Sequence, residues 1–126
     1  MRSVFVDTSV WVDHFRHRND VLFGLLEMDL VTVHPFVLGE IACGTPPNRN
    51  QTLADLSGLQ KIQQASLGDA IEFIERERLF GLGCGLVDLL LLASTLMSPG
   101  VDLWSTDKLL CPLAERFSVN YQPALH

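Results

Sequence analysis

The sequence is short of several things, and each shortage removes a class of protein. Its three cysteines, Cys43, Cys84 and Cys111, are widely spaced and form no CxxC pair. That excludes a disulfide framework and a structural zinc site, and predicts buried free thiols in a reducing compartment. No apolar run is long enough to cross a bilayer: the longest, "LVDLLLLASTLM", is too short and carries an acid. The opening residues, "MRSVFVD", lack the apolar segment of a signal peptide. A soluble, cytoplasmic protein with no membrane association is therefore expected. Positive charge is also scarce, nine basic residues against fifteen acidic ones for a net charge of −6. A protein that grips nucleic acid mainly through a basic surface would not look like this. An enzyme that uses an acid cluster to bind metal still fits, because the metal returns the charge those acids contribute. No internal repeat, low-complexity tract or dividing linker is present. One domain over residues 1–126 is expected. Its 48% hydrophobic content provides for a generous core or an adhesive interface.

What is there alternates between strand and helix. "SVFV" and its neighbours, residues 2–6, read as a buried strand. Residues 8–17 read as a helix with Val10, Trp11 and Phe15 toward one face. A short helix is predicted over residues 20–28, with Asp20 as its cap. "LVTVH", residues 30–34, is a second strand, and Pro35 opens a helix that Gly44 stops. "GTPPNRNQ", residues 44–51, reads as an exposed loop. Residues 51–65 and 68–80 read as an amphipathic helical pair. Residues 86–97 read as a helix apolar nearly all round and hence deeply buried. "VDLWS" is a strand, residues 108–117 a helix, and "SVNY" a last strand. This alternation predicts an α/β sandwich around a mostly parallel sheet.

Four acids stand out against that frame. Asp7 ends the first strand, Glu40 lies on the helix after the second, Asp88 sits in the first turn of the apolar helix, and Asp107 follows the strand "DLWS". Functional groups of parallel α/β sheets gather at the carboxyl ends of strands. Each acid also has a purely structural explanation. Asp7 suits an N-cap, Glu40 a solvated face, Asp88 the positive end of a helix dipole, and Asp107 a helix start with Thr106 as the alternative cap. Together they describe a carboxylate pocket whose oxygen ligands suit Mg²⁺ or Mn²⁺ better than zinc.

The pieces "FVDTSVWVDHF", "LGEIACG", "GLGCGLVDLLLLAS" and "DLWSTDKLL", in this order and spacing over most of the chain, resemble a PIN-domain ribonuclease. More narrowly, they resemble the toxin of a VapBC-type toxin–antitoxin system. The resemblance implies a PIN-like three-layer sandwich and a metal-dependent endoribonuclease. It places Asp7, Glu40, Asp88 and Asp107 in the acidic pocket as metal-binding and catalytic residues, with Thr8, Ser9 and Thr106 as supporting hydroxyls. It further implies hydrolysis of RNA, tRNA among the candidate substrates, by metal-activated water. A cognate VapB-type antitoxin and a homodimer are its implied partners. The chain departs from the family at Thr106, where Arg or a larger residue is common, and at Leu89, where Ala is common.

The remaining features carry less chemistry. His14, His17, His34 and His126 share no metal-ligand spacing, and surface or interface roles are expected for them. Gly81, Gly83 and Gly85 follow a helical pattern, which predicts a turn rather than a phosphate loop. Trp11 and Trp104 read as core or interface. Arg16, Arg18, Arg76 and Arg78 read as solvated faces or as contacts for RNA phosphates. Three rival functions are weighed. A haloacid-dehalogenase-like phosphatase would carry a second Asp where Ser9 stands, and would need a cap domain. A Rossmann domain would need a Gly-rich turn after the first strand. A non-catalytic interaction module of the same fold would not need the acid set.

Overall fold

The structure, a computed structural model, describes residues 2–123; His126 lies outside the described residues. Four strands, β1 (Ser3–Val6), β2 (Val31–Val33), β3 (Gln60–Lys61) and β4 (Val101–Trp104), form one sheet in the order β3-β2-β1-β4. Every pairing is parallel, so the sheet is wholly rather than mostly parallel. Seven helices flank it among the described residues: α1 (Thr8–Arg16), α2 (Asp20–Glu27), α3 (Pro35–Ala42), α4 (Arg49–Ser57), α5 (Leu67–Glu77), α6 (Leu86–Leu96) and α7 (Leu110–Arg116). None of the described helices is long and apolar enough to cross a membrane.

The central strand shows why the sheet is layered. Successive side chains of a strand point to opposite faces, yet Val4, Phe5 and Val6 are all buried. Both faces of the sheet are therefore covered, as parallel sheets require. The β1–β4 register pairs Phe5 with Leu103 and Val6 with Trp104. The two strands end level, and the Asp7 amide continues the ladder by donating to the Trp104 carbonyl at 2.9 Å. This register brings residue 7 beside residues 105–107.

Several elements differ from their sequence reading, each for a local reason. The helix expected over 51–65 ends at Ser57, with Gly58 as its C-cap, and residues 60–61 form the edge strand β3. Leu53, Leu56, Leu59 and Ile62 recur every third residue, which mimics a helical stripe across the break. Ile62 and Ala65 are buried instead by the chain running along α6. The hydroxyls of Ser98 and Ser94 accept from the Gln63 and Ala65 amides there. Asn19, not Asp20, caps α2, its side chain accepting from the Leu22 amide. The middle of α6 is buried, but Leu86, Val87, Leu96 and Met97 at its ends are exposed. The second helix of the expected pair stops at Glu77, where Arg78 takes a left-handed conformation (φ 56°). Helix α7 starts only at Leu110, because the chain before it turns around Asp107. In place of a strand, "SVNY" contributes a single parallel bridge between Asn120 and Leu103. Cys43 is exposed rather than buried. His34 is buried, not superficial, and caps α3 by accepting from the Phe36 amide on Nδ1. Both tryptophans lie in the core, and Gly81 and Gly83 form a turn at positive φ.

Candidate active site

Asp7 directly follows β1 and occupies the N-cap position of α1, yet its side chain makes no cap hydrogen bond. Its carboxylate is buried, 6% exposed, and turns toward hydroxyls instead. Ser9 Oγ and Ser105 Oγ both donate to Asp7 Oδ2, at 2.9 and 2.8 Å. The same two hydroxyls accept backbone amides: Thr106 N–H donates to Ser9 Oγ at 3.1 Å, and Asp107 N–H to Ser105 Oγ at 3.0 Å. The turn after β4 is thus laced to the turn after β1 through one carboxylate oxygen. Asp7 Oδ1 receives no hydrogen bond among the described residues.

The other acids are held in related ways. Thr8, in the first turn of α1, donates from Oγ1 to Glu40 Oε1 at 2.8 Å, which draws an otherwise exposed side chain of α3 toward the strand ends. Asp107 Oδ1 accepts the amides of Leu109 and Leu110 at 2.8 and 2.9 Å, so one of its oxygens serves the turn that starts α7. Asp88, in the first turn of α6, has neither a hydrogen bond nor an ion pair among the described residues. Burial raises its pKa above the ordinary carboxylate value, and the negative charges of Asp7, Asp107 and Glu40, in that order, raise it further. Asp7 and Asp107, from the turns after β1 and β4, and Glu40 of α3 therefore all reach Asp88 of α6 at one edge of the sheet. The flanking thiols are also pushed up, Cys84 first by burial and then by Asp88 and Asp107, and Cys111 first by burial and then by Asp107, Glu115 and Asp7.

The structure thus brings Asp7, Glu40, Asp88, Asp107, Thr8 and Ser9 into one neighbourhood. Thr106 joins it through its backbone amide, while its side chain is exposed. The hydroxyl that meets the carboxylate belongs to Ser105, which sequence reasoning passed over. Its position, one residue past a buried strand and two before an acid, was the available signal. Among the described residues, no three His, Cys, Asp or Glu side chains stand close enough to form a ready-made metal cage. The donor chemistry nevertheless suits a hard cation: oxygen atoms only, with three carboxylates each keeping one oxygen free of hydrogen bonds, and no salt bridge to any of the four, among the described residues.

A short, wholly parallel sheet with acids meeting at its carboxyl edge is the architecture of a PIN-type domain. No family model matches the chain. It is 36% identical over 107 residues to the protein named Ribonuclease VapC32 in two strains of Mycobacterium tuberculosis, CDC 1551 / Oshkosh and ATCC 25618 / H37Rv. The match covers 85% of this chain and 86% of the relative. The chain belongs to the VapC family of PIN-domain proteins.

Proposed function

We propose that this chain is a divalent-metal-dependent endoribonuclease and the toxin of a type II toxin–antitoxin pair. The observation that carries the proposal is the set of hydrogen bonds that holds one oxygen each of Asp7, Glu40 and Asp107 and leaves the other free, at the sheet edge where all three act on Asp88. Membership of the VapC family, and a relative named as a ribonuclease, support RNA as the substrate. Structured RNAs such as tRNA are the proposed targets.

In this reading Asp7 and Asp88 are the core ligands for Mg²⁺ or Mn²⁺, and Glu40 and Asp107 complete the set. When bound, such an ion supplies Lewis acidity toward the phosphate and lowers the pKa of water. The chain's own work is preorganisation. Ser9 and Ser105 fix one oxygen of Asp7, Thr8 fixes one oxygen of Glu40, and two amides fix one oxygen of Asp107. Each of these carboxylates is left with its other oxygen to present. Charge held in place before reaction needs no rearrangement during it. We further propose a small VapB-type antitoxin as the inhibitory partner, a single-domain homodimer as the working form, and the cytoplasm as its location.

The test is direct. Purified protein with Mg²⁺ or Mn²⁺ should cut RNA internally, EDTA should stop it, and Asp88→Asn should lose it. Folded wild-type protein that leaves total RNA intact in Mn²⁺ would overturn the proposal.

A further inference from the structure

Among the arginines, Arg16 is the one that lines a groove reaching the acid set. Arg18 pairs with Asp20 and lies 3.9 Å over the Phe23 ring. Arg76 pairs with Glu72 and Glu77, and Arg78 forms the left-handed cap of α5. Arg16 is exposed and has no hydrogen-bond or ion-pair partner among the described residues. It lines a groove of about 430 Å³ between α1, α3 and the turn at residues 44–47. The groove's other walls include Val12, Phe15, Ile41 and Glu40. Glu40 belongs to the acid set, so the groove runs out of the candidate active site itself.

The helix geometry sets the length of that path. Thr8, Val12 and Arg16 are spaced four residues apart and share one face of α1. Thr8 holds Glu40 at the acid end. Arg16 stands eight residues further on, about 12 Å along the helix axis at ~1.5 Å per residue. Between them lies an apolar floor that includes the half-buried Phe15, whose ring stacks on Trp11 (centroids 6.1 Å apart, planes at 26°). An unpaired guanidinium beyond an apolar and aromatic floor, continuous with a cluster of acids, has the make-up of a single-strand nucleic-acid channel. Such channels combine cationic contacts to the backbone with stacking surfaces for bases.

We infer that the α1–α3 groove holds the single-stranded RNA flank next to the cleaved bond, with Arg16 binding a backbone phosphate of that flank. The inference rests on the ribonuclease reading above and adds to it a substrate-positioning residue outside the acid set. Arg16 contacts RNA away from the reacting atoms, so it contributes to binding in the ground and transition states alike. Loss of such an interaction raises KM and leaves kcat in place.

The experiment uses the intact protein and an end-labelled oligoribonucleotide spanning a mapped cleavage site. Arg16→Ala should raise KM on the order of threefold to tenfold, with kcat within about twofold of wild type. In filter binding on the Asp88→Asn background, it should flatten the plot of log affinity against log salt by about 0.7, one phosphate contact to a single strand. Arg16→Lys should recover part of both losses. Lys61→Ala, which removes the same charge from the exposed edge strand, should change neither. Shortening the RNA one nucleotide at a time on each side should, on one side only, reach a length at which wild type and Arg16→Ala bind alike. Unchanged KM and unchanged salt slope would overturn the inference and leave Arg16 as a helix-end charge. So would an Arg16→Ala protein that loses its antitoxin while binding RNA normally, since the groove would then belong to a protein partner. A wild type that cuts no RNA under any metal would overturn the ribonuclease reading itself, and this inference with it.

Discussion

Asp7 shows how a single residue separates a structural role from a chemical one. An Asp at an N-cap ordinarily accepts an amide from the second or third helical residue, and this one accepts two hydroxyls instead. On the proposed reading, in which Asp7 holds the metal, Ser105 is a positioning residue. Residues that orient metal ligands typically cost 10- to 100-fold in affinity or activity when changed. Ser105→Ala should weaken Mn²⁺ binding by calorimetry by about 10-fold or more, and Ser105→Thr, which keeps the hydroxyl, should restore it. A lower melting temperature with normal Mn²⁺ affinity would reduce Ser105 to a structural tie. Asp88 makes a prediction of different sign. Its folded pKa is raised, by burial first and then by Asp7, Asp107 and Glu40, so the folded chain holds that proton more tightly than the unfolded chain. The stability this contributes is fully present below the unfolded pKa and is lost as pH rises through the folded pKa. Asp88→Asn is neutral throughout. Without metal it should match wild type in acid and melt increasingly above it toward neutral pH, while cutting no RNA. If Asp88 served only the helix dipole, the mutant would melt lower at neutral pH and cut normally.

At the scale of elements, the helices differ in how their starts are held. Helix α5 carries its own start signal: Ser66 accepts the Asp69 amide while Asp69 accepts the Ser66 amide. Ser66→Ala should cost about 1 kcal/mol in urea denaturation, in the range of measured cap losses. The Asp69 half of the box depends on charge. Its pKa is lowered by the hydrogen bonds from the Ser66 backbone and side chain. The contribution is present above the unfolded pKa and fades as pH falls through the lower folded value. The Ser66→Ala deficit should therefore shrink in strong acid. A deficit independent of pH would mean that the box does not act as a pair. Helix α1 has no side-chain cap bond of its own, because Asp7, placed to give one, is turned to the site.

For the molecule as a whole, the concentration of acids predicts a response to ligand. On the proposed reading Mg²⁺ or Mn²⁺ would bind the folded site and little of the unfolded chain, and such binding stabilises by about 2.7 kcal/mol at a hundredfold excess over Kd. Wild type should gain melting temperature on titration with Mn²⁺, and Asp88→Asn should gain much less. Equal gains would place the ion elsewhere. The surface makes a second prediction. Leu67, Ile71, Leu96 and Met97 on α5 and α6 are exposed, as are Phe80, Leu82, Leu86 and Leu109 around the glycine turn. Exposed apolar surface on this scale marks association. Sedimentation at micromolar concentration should give twice the mass of the 126-residue chain; a monomer would leave those residues without a partner.

The amino-acid order alone determined the strands and helices with clear periodicity and clear ends: the apolar β1, the Pro35 start of α3 and its stop before Gly44. It also determined which acids stood at the ends of those elements, because strand ends and first turns are local features. It did not determine β3 or the end of α4, where leucines every third residue read as helix and exposed Gln60 and Lys61 carry no strand pattern. It did not single out Ser105, since a serine after a strand is commonplace until β1 and β4 are set in register. Only the tertiary structure decided that Val6 lies beside Trp104, that Ser105 thereby meets Asp7 across 98 residues of sequence, and that Thr8 reaches Glu40. Charge repulsion, hydrogen bonding and groove shape depend on distance in space, and sequence separation carries none of that until the chain has folded.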